Sequence, residues 1–233
     1  MNIGGNLAEH GYAFFTAADL GAVLQVDVAQ LNRLRDSWNS LPRDEYLRDG
    51  GRYRARRHAS FIEDGSKLTL APHRAHWQPT SYNALHGGME RWFEPIAPEV
   101  VNSPVWTKLL TSIGVLFAEI RPVDRWYIEA HQFRIDTSDG IGRPTPEGAH
   151  RDGVDFVALL LVRRQNIRGG ETRVFDAHGP TGIRFTMEEP WSLLLMDDAR
   201  VIHEPTPIQP DGAEQGVRDT LVLTYRAKGF QAP

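Results

Sequence analysis

The chain has 233 residues, which is enough to bury a sizeable core, and it contains no cysteine. Disulfides, a thiol nucleophile, cysteine-ligated zinc and iron–sulfur clusters are therefore excluded. The net charge of −4 and the isoelectric point near 6.1 give no reason to expect nucleic acid or an anionic membrane as partner. The first ten residues lack the features of a signal peptide, and no apolar run approaches the roughly 18 residues that span a bilayer. We expect a cytoplasmic protein.

Two helices are predicted in the first half of the chain. Asp27 is a candidate N-cap for the first helix, which ends before Pro42. Four apolar residues of this helix share one face: Leu31, Leu34, Trp38 and Leu41. The second helix is predicted from the cap Ser103, with Pro104 in its first turn, to Arg121. The apolar faces of both helices predict core packing and carry no chemical message.

From Arg125 onward, short apolar or alternating runs are separated by glycine and proline turns. Six runs predict strands: residues 126–135, 154–162, 172–176, 183–187, 191–196 and 220–225. Many short strands at this spacing indicate a β-sandwich or barrel. We predict a single domain over residues 1–233, in which a helical and mixed part (about 1–124) packs on a β core (about 125–228).

A group of polar residues in the β part indicates metal chemistry. His150 and Asp152 are two positions apart, so their side chains project from the same face of a strand, although such a pair is common by chance. Its context is more specific, because His203 follows a later apolar strand. Two imidazoles and one carboxylate form the facial triad that binds Fe(II) in non-haem oxygenases. Arg218 and Thr220 share a face of the last strand, and an arginine beside a hydroxyl suits a bidentate grip on a carboxylate.

The stretch 126–225 resembles the 2-oxoglutarate/Fe(II)-dependent dioxygenases, whose motif is His-x-Asp, a distal His and Arg-x-Ser/Thr on the last core strand. Three segments resemble the BsmA-like bacterial subfamily: HQFRI at 131–135, TPEGAHRDGVDFV at 145–157 and GGETRVFD at 169–176. That subfamily includes free L-amino-acid hydroxylases such as the L-isoleucine dioxygenases. Because RYRARRHASF at 52–61 resembles its N-terminal region, the resemblance covers most of the chain.

This resemblance implies a mainly β fold: a double-stranded β-helix (jelly-roll, cupin-like) core with flanking N-terminal helices. It places catalytic Fe(II) on His150, Asp152 and His203. It also implies that Arg218, with Thr220 as a weaker candidate, binds the far carboxylate of 2-oxoglutarate. Because Asp152 keeps the carboxylate ligand, we expect hydroxylation rather than halogenation, with O2 consumed and succinate and CO2 released. The expected substrate is a small carboxylate-bearing molecule, with a free L-amino acid favoured.

Alternatives remain open for the function as a whole. The protein could be a dioxygenase acting on a nucleobase or a protein side chain, or a non-enzymatic cupin-like metal-binding or sensor protein. Five arginines form a basic cluster: Arg48, Arg52, Arg54, Arg56 and Arg57. Such a cluster usually forms a solvated or internally paired face, but one of its members could bind a substrate carboxylate. The substrate's identity, the regiochemistry and the oligomeric state are not predicted.

Alternatives also remain for individual residues. Arg218 could form a strand-edge salt bridge with Asp219 or Glu214. His131 could touch substrate, although a core histidine is favoured, and its face or the opposite face of the same strand could line the barrel. Asp198 could orient His203 or cap a turn. The segment 136–148, rich in Gly, Pro and Thr, is a candidate lid.

Overall fold

The computed structural model describes residues 3–65 and 67–233. Its helices are α1 (Ile3–His10), α2 (Ala17–Leu24), α3 (Val28–Leu34), α4 (Pro98–Val101) and α5 (Pro104–Ile120). Both predicted helices are present. The Asp27 carboxylate caps α3 by accepting a hydrogen bond from the Ala29 amide at 2.8 Å, and Ser103 stands at the N-cap of α5.

The first predicted helix is shorter than expected. Helix α3 ends at Leu34, and a 3-10 helix (Arg35–Ser40) carries the chain towards Pro42. Trp38 lies in this tighter segment and is buried as predicted. Its indole Nε1 donates to the carbonyl oxygens of Phe133 at 3.1 Å and Thr220 at 3.2 Å, so the segment is anchored to the sheet beneath it.

Twelve strands are assigned in the described residues: β1 (Tyr12–Phe15), β2 (Arg54–Asp64), β3 (Lys67–Leu70), β4 (Arg125–Asp136), β5 (Phe156–Gln165), β6 (Ile167–Gly169), β7 (Glu171–Asp176), β8 (Gly182–Thr186), β9 (Leu193–Asp197), β10 (Val201–Pro205), β11 (Ile208–Pro210) and β12 (Val217–Arg226). Each of the six predicted segments overlaps a strand, with bounds that differ by at most three residues. No sequence pattern predicts β2, because residues on one of its faces are arginine and histidine rather than apolar.

The strands form the predicted jelly-roll fold. The larger, antiparallel sheet has the strand order β1-β9-β5-β12-β4-β2-β3, and the smaller has the order β10-β7-β8. The short strands β11 and β6 form a separate antiparallel pair. Strands β1 and β2 precede residue 125, yet they pair with β9 and β4 of the predicted core.

The larger sheet has two buried faces. Helix α5 packs on its outer face, where Phe117 stacks on Phe156 of β5 with ring centroids 4.4 Å apart. An apolar cluster lies between the two sheets, with members on β5, β9, β7 and β10: Val157, Leu159, Leu161, Leu194, Met196, Val174 and Val201. The inner face therefore continues from this apolar cluster on β5 and β9 to polar residues on β12, β4 and β2, and these polar residues form one side of the site.

Candidate active site

His150 and His203 face each other across a short backbone bridge. The His150 amide donates to the His203 carbonyl at 3.1 Å, and the His203 amide donates to the His150 carbonyl at 3.0 Å. The two imidazole ring centroids are 4.6 Å apart. Asp152 closes the group, because its Oδ1 lies 3.8 Å from His150 Nε2 and its Oδ2 lies 3.8 Å from His203 Nε2. The three predicted metal ligands therefore converge on one point.

Hydrogen bonding and protonation determine which ring nitrogens of the two histidines can bind a cation. His150 Nδ1 lies 3.0 Å from the Gly148 carbonyl and donates to it, so the lone pair of the neutral imidazole is on Nε2. Burial and the charge of His150 lower the pKa of His203 to about 4, so its ring is neutral at physiological pH. Burial opposes protonation of His150, but the carboxylates of Asp152 and Glu147 raise its pKa above the usual value. A neutral imidazole is the form that binds metal, so His203 is already in its ligand form.

Asp198 holds the loop that carries Asp152. Its carboxylate accepts hydrogen bonds from the backbone amides of Asp152 at 2.9 Å, Gly153 at 2.8 Å and Val154 at 3.1 Å. Burial and the charge of Asp152 raise the pKa of Asp198 to about 6. Of the two roles considered for Asp198, the turn-stabilising one agrees with these contacts, and His203 Nδ1 has no hydrogen-bond partner among the described residues.

Arg218 is a buried cation without an acidic partner in the described part of the chain. It is 2% exposed, and its Nη2 atom has no hydrogen-bond partner. The alternative salt bridges are not formed, because Asp219 pairs with Arg134 at 2.7 Å and Glu214 accepts from Asn166 at 2.9 Å. Burial and the neighbouring Arg164 lower the pKa of Arg218 to about 10, which leaves it charged at neutral pH.

The cavity beside these groups joins them into one site. It has a volume of about 110 Å³, and both the triad and Arg218 line it, as does Thr220. A buried guanidinium with an unused donor is stabilised by an anion, so we expect an anion to bind beside Arg218 in this cavity. Two imidazoles and one carboxylate suit Fe(II). The residues present therefore fit an iron ion and a carboxylate-bearing cosubstrate.

Comparison with known proteins agrees with this chemistry. Residues 35–224 match the family model described as 2OG-Fe dioxygenase. The chain belongs to the 2-oxoglutarate/Fe(II)-dependent (2OG-Fe) dioxygenase family. It is 53% identical to a bsmA homolog from Methylobium petroleophilum, whose crystal structure superposes with a TM-score of 0.96 over 100% of this chain and 94% of that one. The protein is therefore a BsmA-like dioxygenase that uses Fe(II), 2-oxoglutarate and O2.

Two more distant structures share the fold of this dioxygenase. IDO from Bacillus thuringiensis is 19% identical, with a TM-score of 0.81 over 98% of this chain and 99% of that one. The Fe(II)/α-ketoglutarate-dependent dioxygenase TqaL is 19% identical, with a TM-score of 0.74 over 97% and 86% of the two chains. Among curated proteins, no match was found. In the described residues of the dioxygenase, no helix has the length and apolar character that a membrane span requires.

A second cluster of histidines and a carboxylate borders the cavity of the dioxygenase; it consists of His58, His76, Glu129 and His131. Glu129 Oε1 accepts from Arg74 Nη1 at 2.9 Å, and Oε2 lies 3.3 Å from His76 Nδ1. Arg56 Nη2 lies 2.7 Å from His131 Nδ1, and since a guanidinium can only donate, that nitrogen accepts. Burial opposes ionisation of Glu129, but the charges and hydrogen bonds of its histidine neighbours hold its pKa below the usual range.

The position of His131 shows which face of β4 lines the cavity. His131 is buried and hydrogen bonded, as favoured, and it borders the cavity together with Phe133. Gln132 and Arg134 point to the helix side, where Gln132 Nε2 donates to the Ser37 hydroxyl at 2.8 Å. The pairing of β4 with β12 and β2 then places Thr220 and Arg56 opposite Phe133 on the inner face.

The arginine cluster does not form a single solvated face. Arg54 and Arg56 are buried and point into the cavity, whereas Arg48 and Arg52 are exposed. Arg57 pairs with Glu94 at 2.9 Å. Alternation along β2 explains the split, since residues 54 and 56 share the inner face of the strand.

Several cavity residues carry no signal in the sequence. Gln78, Asn83, His86 and Arg91 lie between β3 and α4 in a segment without long regular structure, and Glu147 lies before His150. Periodicity cannot find such residues, because their burial depends on tertiary contacts alone. The candidate lid 136–148 contributes Pro144, Thr145 and Glu147 to the lining, in agreement with its predicted position near the site.

Proposed function

We propose that this dioxygenase hydroxylates a small carboxylate-bearing molecule, with a free L-amino acid as the favoured substrate. Fe(II) is held by His150, Asp152 and His203. The far carboxylate of 2-oxoglutarate is bound by Arg218 with Thr220, and the reaction converts 2-oxoglutarate to succinate and CO2. The observation that carries the proposal is the convergence of the triad beside a buried arginine that lacks an acidic partner among the described residues. Iron with bound 2-oxoglutarate would supply the chemistry by which O2 oxidises a C–H bond of the substrate.

The chain's own residues supply positioning. The Gly148 carbonyl directs the His150 ring, and Asp198 fixes the loop of Asp152 through three backbone amides. Apolar side chains of the cavity, such as Val157 and Leu159, would keep water from the part of the site that they line.

The shape and charge of the cavity favour a small acid over a macromolecule. A cavity that is lined mostly by buried side chains suits a small molecule. Arg54, Arg56 and Arg91 all border it, and buried guanidinium groups select carboxylates. The chain is 53% identical to a bsmA homolog, and its resemblance to the BsmA-like subfamily, which includes amino-acid hydroxylases, implies the same substrate class.

An anaerobic titration with Fe(II) and 2-oxoglutarate tests the cofactor part of this proposal. We expect a visible charge-transfer band that is lost in His203→Ala and needs at least about tenfold more 2-oxoglutarate in Arg218→Ala. The exposed residues His10 and Arg168 provide matched controls, since their alanine variants should keep the wild-type band. A metal-loaded protein without the band would contradict the proposal.

A turnover screen tests the substrate part. Succinate release in air is measured with each free L-amino acid in turn, and we expect one or a few of them to stimulate it. Stimulation by an oligonucleotide or a peptide, with none from free amino acids, would replace the proposed substrate by a macromolecule.

A further inference from the structure

Four polar residues form a hydrogen-bonded group next to the metal ligand Asp152. Gln78 is at its centre: its Nε2 donates to Asp152 Oδ1 at 3.2 Å, and its Oε1 accepts from Arg91 Nη2 at 2.9 Å. Asn83 Nδ2 lies 3.2 Å from the same Gln78 oxygen and 3.4 Å from Glu147 Oε1. Arg91 and Glu147 are thus held on either side of one pair of amide side chains, and both line the cavity.

Each end of this group has an unused charged atom. Arg91 is 2% exposed, its Nε has no hydrogen-bond partner, and it forms no ion pair in the described parts of the chain. Glu147 Oε2 is likewise buried without a hydrogen-bond partner. Burial and the charge of Arg54 lower the pKa of Arg91 to about 10, so it stays charged at neutral pH. A buried guanidinium and a half-buried carboxylate with an inaccessible oxygen are costly when they do not pair, unless a ligand satisfies both.

Two other arginines of the cavity, Arg54 and Arg56, have an acidic partner in Asp44, although Arg54 Nη2 and Arg56 Nε also lack hydrogen-bond partners. Arg54 Nε pairs with Asp44 at 2.7 Å. The Arg56 guanidinium carbon lies 3.8 Å from the centroid of Phe93 and 4.3 Å from that of Phe133, and its Nη2 contacts His131. Arg218 is assigned to 2-oxoglutarate. Arg91 therefore differs from Arg54 and Arg56 in having no acidic partner among the described residues.

We infer that these residues form a binding site for the zwitterionic head of an α-amino acid. Arg91 binds the carboxylate, Glu147 binds the ammonium group, and Gln78 fixes the pair beside the metal ligand Asp152. This inference rests on the proposed function and gives it a residue-level basis.

The hydrogen bonds of Gln78 indicate which carbon of the substrate is oxidised. One amide side chain spans the gap between Arg91 and Asp152, so the head of the substrate lies close to the metal ligands. The carbon that reacts must then be near the α-carbon, on the first few atoms of the side chain. Oxidation at the far end of a long side chain such as that of lysine is disfavoured.

Substrate analogues that lack one charge provide the test. The probes are an L-amino acid that stimulates succinate release, its methyl ester and its des-amino acid, each titrated anaerobically against the charge-transfer band of the Fe(II)/2-oxoglutarate protein. In the wild type we expect the amino acid to perturb the band at concentrations at least about tenfold lower than either analogue requires.

Two variants assign each charge to its residue. Glu147→Gln should lose the discrimination against the des-amino acid, and Arg91→Gln should lose the discrimination against the methyl ester. Both should keep the wild-type affinity for 2-oxoglutarate. Arg91→Lys, which keeps the charge, provides a second variant if Arg91→Gln folds poorly. Glu188→Gln and Arg184→Gln are matched controls, because both residues are exposed.

The possible outcomes separate this inference from the proposed function. Amino-acid affinity that is unchanged in both variants, or an Arg91 variant that loses 2-oxoglutarate instead, would overturn the zwitterion site and leave the amino-acid substrate standing. A normal band that no free amino acid perturbs would overturn the site and the amino-acid class but leave the iron and 2-oxoglutarate assignments. Absence of the band itself would overturn both.

Discussion

The two histidine–carboxylate clusters that line this cavity differ in what already occupies their donor atoms. In the triad, the contacts between Asp152 and the two imidazole nitrogens are 3.8 Å, and no arginine pairs with the carboxylate in the described residues. In the second cluster, Arg74 lies 2.9 Å from Glu129 and Arg56 lies 2.7 Å from His131. The arginines supply the positive charge that a metal ion would otherwise bring.

This difference shows that residue types alone do not define a metal site. A divalent cation in the second cluster would lie beside two guanidinium groups, and repulsion between like charges at such distances is strong in a buried site. The triad instead offers a carboxylate and a neutral imidazole with free lone pairs. We therefore expect one metal ion per chain, bound by His150, Asp152 and His203.

Removal of the triad carboxylate should have the largest effect. Asp152→Ala leaves two imidazoles and no negative ligand, so we expect Fe(II) affinity and turnover to fall by at least about a hundredfold. Metal content after anaerobic loading and succinate release measure the two quantities. Asp211→Ala in an exposed turn is the control. Full iron occupancy in the Asp152 variant would mean that the metal is bound elsewhere.

A change in the second cluster should affect stability but not metal content. Glu129→Gln leaves Arg74 without its carboxylate partner, so we expect the free energy of unfolding to fall by about 3 kcal/mol. Urea denaturation measures the fall, and the loaded variant should still contain one iron per chain. If the wild type contained two metal ions per chain and the Glu129 variant only one, this cluster would also bind a cation.

All six predicted strand segments are confirmed, because their apolar residues alternate or run together and glycine or proline turns separate them. The triad, Arg218 and Thr220 could be proposed from the order of a few residues, of which His203, Arg218 and Thr220 lie on strands, whereas His150 and Asp152 lie just before β5. Strand β2 and the zwitterion site could not, since Arg54, Gln78 and Arg91 are polar residues that become buried only through tertiary contacts. The division of the chain near residue 124 stays a prediction.

Glu63 extends the comparison to a buried carboxyl group with no basic partner among the described residues. It packs against Gly114 of α5, and burial raises its pKa to about 8. The group is neutral in the folded state, whereas in the unfolded state it ionises near the ordinary glutamate pKa of 4.5. Stability therefore falls as the pH rises from that value towards 8.

This titration should have the smallest effect of the three. We expect the wild type to lose about 2 kcal/mol of stability between pH 6 and pH 8 relative to Glu63→Gln, which cannot ionise. Urea denaturation of both proteins at each pH isolates the contribution of this residue from that of other groups. A constant difference between them would mean that Glu63 is ionised in the fold.

The reciprocal backbone hydrogen bonds between His150 and His203 join the two ligand-bearing segments directly. Neither segment can move away without breaking both bonds, so the two amides belong to one cooperative opening unit. A metal ion held by both rings adds a second link across the same pair of residues. Cofactor loading would then slow hydrogen exchange at both amides together. The free energy of metal binding would add to the free energy of local opening of these two segments.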